Sequence, residues 1–335
     1  MCAFREYKRR KPTADFGFPS CDTDPGMDKD RLTQFGETML QLGHLDGRLH
    51  SSTCADIFLA RSRLEGAAVL AGLAGVPIDV RDLQDWITGR TPPPRASEGL
   101  NDPISVAAVF HFAISRDEDS RDPILRATLN MLRSVLDDRI EAEAYGRDDL
   151  AHFGPMWRTT REAADAPLNQ PGLIGIAERV FELSALSETG QEAGYEVVTI
   201  DGRSWDLPPR ARDRNWLIAA AVPRLLHQAH LTTRVIPSLI LMPKLLPPSP
   251  TALAETMMTA LRKVVDSGLR DLDRIERAIA AASASDVTKR SKAPLLSRLL
   301  MTYPGLQPRA VATLLNVTPQ GARKLLASVG VRMIV

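Results

Sequence analysis

The chain has 335 residues, 44% of them hydrophobic, 25% charged and 5% aromatic, with 42 basic and 41 acidic residues and a net charge of +1. That length calls for two or three units rather than one small domain, and the composition is that of a soluble globular protein, neither fibrous nor disordered. No apolar run approaches the ~20 residues of a membrane span, and the amino terminus lacks the apolar core of a secretory signal. Cys2, Cys21 and Cys54 are scattered, with no CxxC spacing, so a cytoplasmic protein with free thiols and no membrane contact is expected.

Residues 1–26 mix basic residues, Pro, Gly and Asp without apolar periodicity and read as a disordered tail, with a small basic cluster from Lys8 to Lys11. Apolar residues at helical spacing predict helices over 28–49 and 53–73, then a short one through VRDLQDWI before the Pro-rich TPPPR at 91–95. Further helices are expected over 103–117, 122–144 and 171–186. The stretches between them, and 187–212, read as polar loops with a short hairpin in YEVVTIDGRSWDLP. Two largely apolar helices are expected between Asn215 and Leu246, at the centre of the core. Ser249-Pro250-Thr251 supplies an N-cap serine and a proline at the first helical position, opening a long amphipathic helix to about Ala282. The small, polar and basic residues of ASASDVTKRSKAP then read as a linker. The expected fold is all-α: a helical body over 27–282, with a Pro-rich linker at 91–102, a second linker at 283–293, and a terminal module over 294–335.

Charge is distributed unevenly between the two parts. From Val287 onward there are eight basic residues (Lys289, Arg290, Lys292, Arg298, Arg309, Arg323, Lys324 and Arg332) and no acidic one, which leaves 34 basic against 41 acidic residues, a net of −7, in residues 1–286. A basic module on an acidic body is the layout expected where one segment meets a polyanion.

Within that module the segment from Gln307 to Leu326 has the spacing of a helix-turn-helix. Ala312 is the small residue at the helix crossing, and Leu315 closes the first helix. Asn316 stands in the turn, where a left-handed backbone is needed, and Asn is the side chain best able to adopt it. Val317 plugs the turn, and Thr318 caps a second helix that starts at Pro319. Ala322, Leu325 and Leu326 face inward. Gln320, Gly321, Arg323 and Lys324 are left outward, with Thr318 at the tip. Gln and Arg can make bidentate contacts to base edges, Lys324, Arg309 and Arg332 suit phosphates, and Gly321 would permit close approach to a groove. Residues 295–301 supply a preceding helix, for a three-helix unit that ends too early for a full wing. Double-stranded DNA is the expected partner and a homodimer the expected form, since one such helix reads only a few base pairs.

The body carries a resemblance. Ala60-Arg-Ser-Arg-Leu-Glu-Gly66 resembles the SSRIEG segment of Fic-domain proteins, VPIDVRDLQDWITG fits the context that follows it, and Leu217 to Pro247 looks like the helix pair after the Fic active-site loop. In this order, with the terminal module behind them, the segments resemble a family of rhizobial plasmid and chromosomal proteins with a Fic-like body and a terminal helix-turn-helix. The resemblance covers roughly residues 36–90 and 213–330. Fic enzymes transfer a nucleotide monophosphate with a loop of the form HPFxDGNGR. Residues 208–216 stand in its place here and carry neither the histidine nor the glycines, hence no general base and no phosphate cradle. The resemblance thus implies a scaffold without catalytic residues, metal or cofactor. Arg210, Arg212 and Arg214 could hold an anionic ligand, and Glu65 would by analogy reach toward that site; pairing of a buried Glu65 with Arg61 or Arg63 is the plainer reading. His227 and His230 lack an acidic or cysteine partner for a metal site. The expected function is a DNA-binding transcriptional regulator whose body dimerises or binds a partner or small effector. The alternatives are a divergent nucleotidyl transferase and an antitoxin or anti-activator acting by protein contact.

Overall fold

A computed structural model describes residues 25–92, 103–115, 122–137, 154–189, 196–200, 203–207, 215–282 and 292–330. Most of the expected tail, most of the Pro-rich linker at 91–102, most of the linker at 283–293 and the residues after 330 lie outside these. The expected all-α fold holds, with one two-stranded hairpin among the helices. No helix among the described residues is long and apolar enough to cross a membrane.

Contacts divide the chain into residues 1–37 and 38–335. In the first unit the described residues form the start of helix α1 (Pro25–Ser51), where Leu32 and Phe35 are exposed and the Thr33 hydroxyl donates to the Lys29 carbonyl. In the second unit, the carboxy-terminal half of α1 buries Leu42, Leu45 and Leu49. Helix α2 (Ala55–Leu73) is buried nearly all round, as a helix rich in small and apolar residues on every face should be. Gly66 lets it press against the next layer, because a Cβ there would stand 2.5 Å from the Pro237 carbonyl oxygen. Helix α3 (Val80–Ile87) is capped by Asp79, whose carboxylate accepts from the Arg81 amide at 2.8 Å, and ends at Gly89 with φ 78°. Helix α4 (Pro103–Ser115) lies along α2 and α5 (Pro123–Asp137). Asp122 opens α5 by accepting from the Ile124 and Leu125 amides at 2.9 and 3.1 Å.

Two expectations need correction. Helix α6 (Gly154–Asp165) occupies a stretch read as loop. Its buried positions include Thr160 and Ala164, too small and polar to give an apolar periodicity. After α7 (Gly172–Thr189), the hairpin β1 (Glu196–Ile200) and β2 (Arg203–Leu207) pairs Ile200 with Arg203, as expected. Then come α8 (Asn215–Ala219) and α9 (Val222–Gln228), the two helices expected before Leu246, but the second ends at Gln228 and the rest of that span is not helical. His230 takes φ 57° and residues 231–249 run as an irregular strap, buried from Ile236 to Met242. Pro237 and Pro243 forbid the helix that the apolar residues suggest. Side chains serve the strap's backbone instead: the Ser238 amide donates to the Ser62 hydroxyl at 2.8 Å and the Thr233 amide to Asp46 at 2.9 Å. Helix α10 (Pro250–Ala282) starts as expected, with the Ser249 hydroxyl accepting from the Ala252 amide. It buries Leu253, Met257, Leu261, Val265, Leu272 and Ile275 in one stripe, and Arg48 of α1 binds its Asp273 and Glu276 at 2.7 and 2.6 Å.

Candidate nucleic-acid interface

Of the last three helices, α11 (Ala293–Thr302), α12 (Pro308–Leu315) and α13 (Pro319–Gly330), the last packs on both others, and α12 also packs on α5. Their mutual core includes Leu296, Leu299, Val311, Leu314, Leu315, Ala322 and Val329, all buried, with Ala312, Val317, Leu325 and Leu326 half-buried against them. Asn316 ends α12 in the left-handed conformation, φ 47° and ψ 62°, as its place in the turn predicts. Its amide and that of Val317 return to the Thr313 and Ala312 carbonyls, at 3.2 and 3.0 Å. The Thr318 hydroxyl accepts from the Gly321 amide at 3.1 Å, the N-cap expected of it. Gly321 therefore has a local role as well: a Cβ there would stand 3.2 Å from the Thr318 hydroxyl.

This geometry decides what faces outward. Thr318, Gln320, Arg323 and Lys324 are exposed, Gly321 is half-buried, and Arg309 is exposed on α12. One face of α13 thus presents an amide and two cations beside a helix N-terminus, where unpaired amides favour anions. Arg332, Lys289 and Arg290 lie outside the described residues.

Not all of the basic charge is free for a partner. The Lys292 ammonium donates to the Leu315 carbonyl at 2.7 Å and to that of Asn316, closing the end of α12. Arg298 forks onto Asp56 and donates to the Thr53 carbonyl at 2.7 Å. Only its partner in the body, not its own surroundings in the sequence, marks it as a docking residue.

Residues 292–330 belong to the same compact unit as the body from Thr38 onward. Arg61 donates to the Met301 carbonyl at 2.6 Å, the Gln307 amide to the Thr88 carbonyl at 2.8 Å, Asn130 to the Leu314 carbonyl at 3.3 Å, and Arg90 to the Pro304 carbonyl. Gly89 faces Ala310, whose Cβ would stand 3.3 Å from a Cβ placed on that glycine. Tyr303, fully buried, shares a 2.8 Å hydrogen bond with Thr128 of α5, and burial pushes its phenol up to about 12. Nearby, Arg63, 1% exposed, meets Asp122 at 3.3 Å, and burial lowers His111 of α4 to about 3. Tyr303 and His111 were not singled out by sequence, and Arg63, read there as a possible partner of Glu65, meets Asp122 instead.

The second expected site is only partly in view. Arg210, Arg212 and Arg214 lie outside the described residues. Glu65 is half-buried on α2, and desolvation, then the charge of Asp271, raise its carboxyl to about 7 against the opposing pull of Arg61. Arg61 itself binds Asp271 at 2.8 Å. The His227 ring meets the Thr232 carbonyl at 3.0 Å and His230 is exposed in its turn. Among the described residues no group of three His, Cys, Asp or Glu could hold a metal ion.

The described residues define an all-α protein with a solvent-facing basic helix, held by a tight turn, on a three-helix unit seated against the body. No family model, curated protein or solved structure matches the chain.

Proposed function

We propose that this chain is a sequence-specific DNA-binding regulator that reads the major groove with α13 and acts as a homodimer. The observation that carries the reading is the joint placement of Asn316, Thr318 and the exposed Gln320, Arg323 and Lys324: a left-handed turn, a capped helix and a polar, cationic outer face in immediate succession. Gln320 and Arg323 read bases, Lys324 and Arg309 hold phosphates, and the body supplies the second half-site through dimerisation. The Fic-like resemblance of the body adds a scaffold without catalytic residues to this reading.

Selection of bound sequences from a random pool with the full chain gives the operator, and mobility shifts on it give the test. Arg323→Ala is expected to cost about 1–3 kcal/mol and to relax preference at one base position. Lys324→Ala is expected to weaken all sequences alike. Failure to enrich any sequence, or an Arg323→Ala protein binding as well as the parent, refutes the assignment of α13.

A further inference from the structure

Helix α10 carries five basic and five acidic residues over its 33 positions, so its sequence shows no bias of charge. Packing sorts them. Arg61 of α2 binds Asp271 at 2.8 Å, and Arg48 of α1 binds Asp273 at 2.7 Å and Glu276 at 2.6 Å. Three of the five carboxylates are thus held by cations of other helices, and the cations of α10 itself are not drawn on.

Lys263, Arg270, Arg274 and Arg277 are exposed at i, i+7, i+11 and i+14, which places them within about 60° of one another around the axis. The row they form is about 21 Å long. Among the described residues Lys263, Arg270 and Arg274 make no hydrogen bond or ion pair, and Arg277 donates only to the Asp273 carbonyl of its own helix, at 3.1 Å. Asp266 is half-buried beside Lys263 and Arg270 and bonded to neither. Thr259 and Ser267 lie exposed on the same row, and hydroxyls also suit phosphates.

We infer that this outer face of α10 holds the phosphate backbone of duplex DNA outside the site read by α13, without regard to sequence. Cations ranged along one helix face are the footprint of a polyanion, and about twelve phosphate charges lie along 21 Å of duplex. A membrane surface would need large apolar side chains beside the cations, and Leu253, Met257, Leu261, Val265, Leu272 and Ile275 are all buried in the body. A single strand would need aromatic platforms, and α10 has no aromatic residue. The contact does not depend on the reading of α13, and its test includes a chain in which α13 is disabled.

The probe is a fluorescent duplex of scrambled sequence, followed by anisotropy over a series of salt concentrations. It is titrated into the full chain and into a full chain carrying Arg323→Ala and Lys324→Ala. In both backgrounds Lys263→Gln, Arg270→Gln and Arg274→Gln together are expected to weaken binding about tenfold and to reduce the magnitude of the salt slope by about 2.7. Lys263→Arg, Arg270→Lys and Arg274→Lys keep the charges and are expected to bind as the parent does, which separates charge from folding. The single strand of the same sequence is expected to bind more weakly than the duplex. Vesicles of phosphatidylserine and phosphatidylcholine are expected to sediment no more of the parent than of the glutamine chain. An unchanged slope in the glutamine chain, an equal loss in the charge-keeping chain, or an effect that vanishes once α13 is disabled overturns the assignment. So does vesicle binding that the glutamine changes abolish while duplex binding survives. Failure of α13 to prefer any sequence would overturn that reading alone and leave this result standing.

Discussion

Glu65→Gln gives a pH-dependent test of the contact between α2 and the rest of the body. The Glu65 carboxyl is held near 7 in the folded chain against 4.5 for the free group, mainly because it is desolvated and secondarily because Asp271 is close. Below pH 4.5 the group is protonated folded or unfolded and costs nothing. As pH rises from 4.5 to 7 only the unfolded chain loses the proton, so stability falls over that window and levels off above it. Partial exposure trims the penalty to about 2–3 kcal/mol above pH 7. Glutamine removes the ionisation and keeps the shape. In denaturant titrations the Glu65→Gln chain should therefore be more stable than the parent by that amount at pH 8 and nearly equal to it at pH 4.5. A Glu65→Gln chain less stable than the parent at pH 8 would refute the reasoning, because it would mean that Glu65 is ionised and bonded to Arg61.

Substitutions at three other positions probe the joints of the fold. Asn316→Gly should be neutral or slightly stabilising and Asn316→Val should cost about 1–2 kcal/mol, since the turn holds φ at 47°; denaturant midpoints measure both. Tyr303→Phe removes one buried hydrogen bond but leaves Thr128 its 2.9 Å bond to the Ile124 carbonyl, so guanidinium curves should show a loss of about 1 kcal/mol, against about 3–5 for Tyr303→Ala. Gly66→Ala would drive a methyl to 2.5 Å from the Pro237 oxygen and 3.1 Å from Ile114. The strap must then move, and thermal melts should show a loss of about 1–3 kcal/mol or more.

The readable parts of this fold were those decided by local chemistry. Ser249, Asn316 and Thr318 act within a few residues of themselves, through caps and a left-handed turn, and the sequence shows them where the structure has them. What escaped depends on distant partners. Arg298 looks like one more tail cation until Asp56, 242 residues away, is beside it. The strap after His230 has the apolar content of a helix, and its prolines and the hydroxyl of Ser62 decide otherwise. Helix α6 buries Thr160 and Ala164, residues that carry too little hydrophobic contrast to be read from a pattern. The exposed face of α13 was legible because the sequence already fixed which of its residues had to be buried.

That distinction between docking and outward cations can be measured through salt. If all eight basic residues of the tail met phosphates, the logarithm of the DNA association constant would fall with the logarithm of salt at a slope of about −7 per protomer. Lys292 and Arg298 are already bound to carbonyls and to Asp56, which leaves at most six and a slope of about −5; Arg309 and Lys324 alone would give about −2. Fluorescence anisotropy on the selected operator, at a series of salt concentrations and with the stoichiometry measured, gives the number. The variants separate the roles more sharply than the absolute value does. Lys324→Gln should reduce the magnitude of the slope by about 0.9 per protomer. Arg298→Gln, which breaks a contact inside the protein, can lower affinity by loosening the seat of α11 but should leave the slope unchanged, because no counterion leaves the DNA on its account. An equal reduction by Arg298→Gln would show that Arg298 leaves Asp56 for phosphate on binding, and that the three-helix unit detaches from its seat to reach the groove.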